Sequence, residues 1–560
     1  MSIDVTSLTH RRPTNRWDRT SVGDFWERIT WSYPDKEAIV GRPGAFAYPG
    51  NERLTYRDAD ELANRVANAM LAGGARKGDR VLFFCDNSTE AYAVKIAVAK
   101  AGLVSTPINP MLAPDVVADL IERVEPKLAF VDDVLWPRCE GPFAQTGLTP
   151  TVTIPIGGEV VPGSVSFADF VAAASAEEPE VEIHGDDIWE IIFTSGTTAM
   201  PKGAMVSHNY SYLAAYSFAL SLTRGLRFEC DLKMVTFLPL IFHIADQIFS
   251  FPAFLCGGTL VFGRSYDPDG IAQAINDEGV TMWWGGSPAM LEEVTERFER
   301  SDGALSASSV TSIVFGWTAI APQLVERIRR LTTADVNILE ILGQTEAISC
   351  FRFWPDKWPE TFAANAPAVN YVGVPNPLLA SKLVDEDGNS LAGTTGVPGE
   401  AVYRSPVVTA GYYQDEEATR EAFRGGWFHS GDLCEYDAEG LRIMVDRSKD
   451  MIKSGGENVS TLRVETILRS HPEILKAAVI GLPHERWDEA VTAIIVPVDG
   501  ATPNRDEVMA FCRERLAGYE SPKDVILADS LPETVGGKVL KYKLRAQHAD
   551  LYAGDATSPA

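Results

Sequence analysis

No two cysteines of the chain share a C-x-x-C spacing; the seven stand singly at Cys85, Cys139, Cys230, Cys256, Cys350, Cys434 and Cys512. Such a scatter gives neither a disulfide framework nor a thiolate zinc site, and reduced, mostly buried thiols are expected. A long apolar run is missing too. The most hydrophobic stretch, IFSFPAFLCGGTLVFG, is broken by Pro252, Gly257 and Gly258, well short of the roughly 18 residues that mark a membrane-crossing helix, so no span is expected. The first residues, MSIDVTSLTHRRPTNRWDRT, carry no apolar segment of the secretory kind, which points to a cytoplasmic location.

Positive charge is scarce: 50 Lys and Arg stand against 77 Asp and Glu, a formal net charge of -27. That field repels nucleic acid and anionic lipid at long range, so no nucleic-acid partner is expected. A polyanionic small molecule would have to be held by a local cluster of donors, which makes single lysines and arginines informative. No internal repeat or low-complexity tract stands out.

A chain of 560 residues should divide into two or more lobes. RLTYRDADELANRVANAM reads as a helix with Thr55 as N-cap, Asp58 three residues on, and Leu62, Val66 and Met70 on one face. DRVLFFCDN reads as a buried strand, TEAYAVKIAVAKAG as a helix closed by Gly102, and KLAFVDD as a further strand. This alternation implies a mostly parallel sheet covered on both faces, which binds ligands at the carboxyl ends of its strands. Composition changes near GLRIMVDRSKDMIKSGGENVS, after which about 100 residues with their own strands and helices suffice for a separate small domain. The expected division is 1–448 and 449–560.

Residues 193–203, FTSGTTAMPKG, follow the strand-like DIWEIIF and precede the helical NYSYLAAYSFALSL, with Leu213, Tyr216 and Leu220 on one face. They read as a strand-to-helix turn whose backbone N–H groups face an anion, with Lys202 adding charge. It is not a Walker A loop, whose lysine directly follows the second glycine. Alone, such a loop is more often a plain solvated connection, so companions are needed.

They are present. FTSGTTAMPKG, LGQTE (342–346), WFHSGDL (427–433), DRSKDMIKSGGENVS (446–460) and LPETVGGKVLKYKLR (531–545) occur in this order. Together they resemble the signatures of the adenylate-forming superfamily, which includes acyl-CoA synthetases, carrier-loading adenylation domains and beetle luciferases, over about residues 20–545. The FHIADQ stretch is similar to carnitine-type and medium-chain CoA ligases. The resemblance implies an α/β fold: a large multi-lobed N-terminal domain with mostly parallel sheets, and a small mobile α+β C-terminal domain.

It also implies a reaction. A carboxylate attacks the α-phosphorus of ATP to give acyl-adenylate and pyrophosphate, which needs positioning and charge neutralisation rather than a protein nucleophile. By resemblance, Thr194, Ser195, Gly196, Thr197, Thr198 and Lys202 cradle the β- and γ-phosphates, Thr345 bonds the α-phosphate beside Gln344, and Glu346 holds Mg2+. Asp432 accepts the ribose hydroxyls, Arg447 donates nearby, and Lys538 stabilises charge between carboxylate and α-phosphate. Standing alone, Thr345 to Glu346 would rather be a helix N-cap and Asp432 a turn residue. For the second half-reaction the small domain pivots at Lys449, and Gly455 and Gly456 line a path for the CoA thiol.

The implied partners are a carboxylic acid, ATP and CoA; a homodimer is compatible with the sequence, and a carrier protein acting in trans is the alternative thiol source. A silent acyl- or nucleotide-binding protein is a third reading, against which the pair Lys202 and Lys538 speaks. Four departures stand out: Ala199 in place of a glycine, Leu342 in place of an aromatic residue, Trp317 in FGWTAIAP, and Asp246 in place of a small residue. Trp317, His243 and Asp246 are placed at the acyl pocket, with Phe242, Trp283 and Trp284 either walling it or packing the core. His243 either gates the pocket or packs there. Asp246 meets a hydroxyl or cation of the substrate, or caps a turn.

Overall fold

Residues 19–194, 201–222, 232–533 and 539–552 are described by a computed structural model. The capped helix appears as expected, Tyr56–Ala72, with Thr55 and Asp58 bonding reciprocally in a capping box and Val66 and Met70 buried. Its neighbours form a seven-stranded sheet in the order Val165–Ser166, Val152–Ile154, Leu128–Asp132, Arg80–Phe84, Val104–Pro107, Ile188–Phe193, Gly203–Ser207. Every pairing in it is parallel except the last.

That last pairing departs from the sequence expectation. GAMVS forms a strand, Gly203–Ser207, antiparallel to Ile188–Phe193, and Thr194 N donates to Lys202 O at 2.9 Å. FTSGTTAMPKG therefore connects two antiparallel strands, and the helix His208–Leu222 starts only after the second. No helix N-terminus follows the segment directly. The helix's buried face is also not the expected one. Tyr210, Ser211, Ala214, Ala215 and Phe218 are buried, whereas Tyr216 is 55% exposed. Small side chains on the inner face let the helix pack closely against Asp246–Leu255.

The helix Thr89–Lys100 is buried along its whole length. Its charged residues are all engaged: Lys100 pairs with Asp60 and Glu178, and Glu90 accepts from Ala47 N, Tyr48 N and Asn51 Nδ2. Burial without such partners would cost several kcal/mol per charge, of order the ~3–5 kcal/mol measured when a buried pair is broken.

A second sheet has thirteen strands. Glu37–Gly41, Thr259–Phe262, Lys233–Thr236, Met282–Trp284, Ser312–Gly316 and Asn337–Gln344 run parallel. Beyond Asn337–Gln344 the sheet turns antiparallel through Ala347–Phe353, Asn370–Pro375, Arg442–Arg447 and Phe428–Tyr436, then Gly399–Arg404 and Ala380–Val384. The parallel half matches the expected α/β class, and the antiparallel half adds an α+β element to the large domain.

A separate sheet follows Arg447. Strands Ile452–Ser454, Glu457–Val459, Ile474–His484, Asp488–Pro497 and Asp524–Leu527 are covered by helices Thr461–Arg469, Arg505–Arg513 and Lys541–Gln547. Val464, Val479, Ala493 and Val508 fill one face of it, and Ala478, Ile480, Leu482 and Leu544 the other. Among the described residues no helix is long and apolar enough to cross a membrane. Among the described residues, Cys85, Cys139, Cys350, Cys434 and Cys512 are buried thiols outside any disulfide.

Candidate active site

Thr345 and Glu346 form the two-residue turn of a hairpin whose strands pair Gln344 with Ala347. Neither is a helix N-cap. Tyr210 locks the turn from below, its Oη donating to Thr345 O at 3.1 Å and accepting from Ile348 N at 2.9 Å. The Glu346 carboxylate receives Tyr412 Oη on Oε1 at 2.8 Å, and Thr409 N donates to Glu346 O at 2.6 Å.

Asp432 lies inside a strand, not in a turn, directly across from Arg447 on the neighbouring strand. Arg447 Nε is 3.0 Å from Asp432 Oδ1, and Gln344 Nε2 donates to Oδ2 at 3.4 Å. The carboxylate is buried, and Oδ1 has no aligned hydrogen bond despite that proximity. A buried acceptor with spare capacity suits a ligand hydroxyl, since leaving it unmet costs free energy. Two strand ends, at Gln344 and Arg447, thus meet the mid-strand Asp432, with the Thr345–Glu346 turn next to Gln344.

Lys202 is half-buried, its Nζ 4.9 Å from the centre of the Tyr412 ring, which already faces Glu346. Of the other residues expected at the phosphates, Thr194 closes the hairpin strand, while Ser195, Gly196, Thr197 and Thr198 lie outside the described residues. So do Ala199 and Lys538.

Lys449 is exposed in the turn that leaves the large sheet, between Arg447 and Asp450, and Asp450 N donates back to Arg447 O at 2.9 Å. Gly455 and Gly456 make a two-residue hairpin turn with φ of +62° and +88°. Two positive φ values in such a turn favour glycine. At Gly455 an added Cβ would also sit 3.1 Å from Trp487 Cε3.

The residues assigned to the acyl pocket separate. Trp317 stands at the end of strand Ser312–Gly316 with φ +72°, is 41% exposed, and its Cζ3 lies 3.1 Å from where a Cβ on Gly286 would be. His243 is half-buried; its Nδ1 accepts from Ala245 N, and burial followed by the nearby Lys95 charge pushes its pKa down to about 4, so it is neutral at pH 7. Asp246 is fully buried, and Lys95 Nζ sits 2.9 Å from its Oδ2 and 3.0 Å from Glu190 Oε1. Two carboxylates share one ammonium there. Burial pushes the Asp246 pKa up to about 8, against the pull of Lys95. Trp283 and Trp284 are core residues on opposite faces of the sheet, Trp284 stacking on Phe249 at 3.7 Å.

Among the described residues no group of three or more His, Cys, Asp or Glu side chains is arranged to hold a metal ion. Mg2+ does not need one: it is typically bound by one or two carboxylates together with substrate phosphates. The half-buried Glu346, with Oε2 not engaged by Tyr412, fits that limited role.

The AMP-binding enzyme family matches residues 26–413, and the AMP-binding enzyme C-terminal domain matches residues 463–538. The chain belongs to the AMP-binding enzyme family. This adenylate-forming enzyme is an acid–thiol ligase that uses ATP. It is 30% identical to a feruloyl-CoA synthase from Amycolatopsis sp., covering 92% of this chain and 98% of that protein. With a long-chain-fatty-acid–CoA ligase from Mycobacterium tuberculosis it shares 32% identity, over 93% and 99% of the two chains. The structure of ATP-bound MatB from Rhodopseudomonas palustris superposes with a TM-score of 0.80 at 28% identity, covering 95% of this chain and all of that one.

Two groups of the ligase escape a reading of its sequence alone. Tyr412 carries no motif of its own, although its place in AGYY on the tight bend at Gly411 was a usable signal. Lys95 sits in the apolar run AYAVKIAVAKAG, and a lysine inside a wholly buried helix requires a buried partner.

Proposed function

We propose that the enzyme is an ATP-dependent carboxylate–CoA ligase. The observation that carries this is the meeting of Asp432, Arg447 and Gln344 next to the Thr345–Glu346 turn, with Lys202 linked to Glu346 through the Tyr412 ring. In the first half-reaction Asp432 accepts the ribose hydroxyls, with Arg447 fixing its carboxylate. Thr345 bonds the α-phosphate, and Lys202 with Thr194, Ser195, Gly196, Thr197 and Thr198 holds the β- and γ-phosphates. Bound Mg2+ would neutralise phosphate charge, with Glu346 as its protein ligand. Lys538 screens the approaching carboxylate from the α-phosphate.

A carboxylate oxygen of the substrate bonds to the α-phosphorus, and the bond to pyrophosphate breaks. Lys538 then has to leave, which rotation of the small domain (449–560) about Lys449 would achieve. The CoA thiol enters past Gly455 and Gly456, loses its proton and attacks the acyl carbon, and AMP departs. Trp317 and His243 line the acyl pocket in this reading, and the buried Asp246 braces its wall through Lys95. The supporting relatives act on both an aryl acid and fatty acids by name, so both classes belong in the test.

That test incubates the enzyme with ATP, Mg2+, free CoA and a panel of aliphatic, aryl and alicyclic acids, measuring pyrophosphate, AMP and acyl-CoA. Acid-dependent AMP release with an acyl-CoA product is expected. Acid-dependent pyrophosphate exchange without any CoA thioester would transfer the second half-reaction to a carrier-protein thiol, and no exchange with any acid would contradict adenylation itself.

A further inference from the structure

We propose that Tyr412 is a positioning residue, a spacer that keeps the Glu346 carboxylate and the Lys202 ammonium apart and aimed at the nucleotide. The inference rests on the roles just proposed for Glu346 and Lys202. Its geometry is independent of them. Tyr412 Oη donates to Glu346 Oε1 at 2.8 Å while Lys202 Nζ sits 4.9 Å from the centre of the same ring, within the ~6 Å reach of a cation–π contact. Lys202 and Glu346, both described, form no ion pair with each other. Two opposite charges serving one triphosphate would otherwise neutralise one another before it binds, and the phenol satisfies each without joining them.

The ring is held as a part of known position. Tyr412 is 8% exposed, and its N–H donates to Thr419 Oγ1 at 2.9 Å. The segment around it is laced to the strand that follows the phosphate segment: Ala410 N to Met205 O at 3.0 Å, Met205 N to Gly411 O at 2.9 Å, and Tyr413 N to Gly203 O at 2.7 Å. Thr409 ties the same segment to that strand and to Glu346, its Oγ1 donating to Met205 O at 2.8 Å and its N to Glu346 O at 2.6 Å. Arg123 adds a clamp, donating to Pro201 O and Tyr413 O. Gly411, at φ +128°, gives the bend its room: a Cβ there would meet Thr419 Cγ2 at 2.7 Å. The strap thus couples the position of Lys202 to that of Glu346 through one side chain.

The two halves of the role separate by substitution. Tyr412→Phe removes the hydroxyl and keeps the ring; Tyr412→Leu removes both. Binding is measured directly, with Mn2+ as the ion detected by its paramagnetic resonance and α,β-methylene-ATP as the nucleotide, alongside the Mg2+ activation curve and thermal melting. Tyr412→Phe is expected to weaken Mn2+ binding in the nucleotide complex by about fivefold to tenfold, the worth of one ordinary hydrogen bond, because the lost bond acts on the ion only through Glu346. The Mg2+ curve should shift to higher concentration with kcat restored at saturation, and nucleotide affinity in EDTA should not change. Tyr412→Leu should in addition weaken nucleotide binding in EDTA. Unchanged Mn2+ affinity in Tyr412→Phe overturns the proposal, including when melting alone falls, because that marks a merely structural role. If the wild-type enzyme itself binds no Mn2+ with the nucleotide, the assignment of Glu346 fails first, and the spacer role falls with it.

Discussion

Asp432 and Arg447 face each other across neighbouring antiparallel strands, 3.0 Å apart, and the buried Oδ1 of the aspartate still lacks an aligned hydrogen bond. In the proposed reading this carboxylate, beside an arginine and with an unused acceptor position, receives the ribose hydroxyls. Asp432→Asn should therefore raise the KM for ATP by about tenfold to a hundredfold, the worth of a charge-assisted hydrogen bond. The KM for the acid should stay nearly constant. The variant should also lose the wild-type preference for ATP over 2′,3′-dideoxy-ATP, which steady-state kinetics with both nucleotides will read.

Asp246, Glu190 and Lys95 place two carboxylates around one ammonium in a fully buried site, with Tyr92 and His243 nearby. Gln247 Nε2 donates to Glu190 Oε2 at 2.7 Å, and Ser105 Oγ to Oε1 at 3.2 Å. In the unfolded chain Asp246 titrates near ~3.9, and in the fold its pKa rises to about 8. The folded state thus holds this proton more tightly than the unfolded one. Its contribution to stability is complete below the unfolded value and is lost as the pH rises through about 8. Melting temperatures of the wild type should fall between pH 6 and 9 more steeply than those of Asp246→Asn, which stays neutral throughout. Parallel curves would contradict the raised pKa of Asp246 in this buried cluster.

Trp317 adopts a left-handed backbone at φ +72° and is 41% exposed. Such a backbone costs a residue with a side chain about 1–2 kcal/mol relative to glycine. Trp317→Gly should relieve that strain and offset part of the lost packing, so melting should change little. Activity toward bulkier or longer acids should rise by about tenfold relative to the best wild-type acid, the scale of one or two methylenes in a pocket. An unchanged acid profile would remove Trp317 from the pocket.

Lys538 and Lys449 are assigned to different halves of the reaction, so their variants should separate those halves. Lys538→Ala should slow adenylation by about 100-fold or more, the scale of losing one transition-state donor. It should leave thioester formation from preformed acyl-adenylate largely intact. Lys449→Pro should do the reverse, sparing adenylation and blocking transfer. Rapid-quench assays of the separate halves check both, and equal loss of both steps in either variant would contradict its assignment.

Much of the fold was legible because its signals are local. The Thr55–Asp58 capping box and the apolar runs at Arg80–Phe84 and Leu128–Asp132 read correctly from a few neighbouring residues. The strand Gly203–Ser207 was not legible, since five residues abut the helix at His208 with no turn residue between to separate the periods. Nor was the antiparallel half of the large sheet, whose pairings join segments such as Asn370–Pro375 and Arg442–Arg447, some seventy residues apart. At the site, Asp432 and Arg447 were named from motif order, but only folding shows them opposed on adjacent strands. Tyr412 went unnoticed because its partners, Glu346 and Lys202, are brought to it solely by tertiary structure.

Oxygen tracing tests adenylation most directly. If the acid's own carboxylate attacks the α-phosphorus, an acid labelled with 18O in both carboxylate oxygens must deliver one labelled oxygen to AMP. None should reach pyrophosphate, and the other should remain in the thioester carbonyl. Mass spectrometry of the products should show that pattern for any acid the enzyme accepts. Unlabelled AMP, or label appearing in inorganic phosphate or ADP, would contradict it.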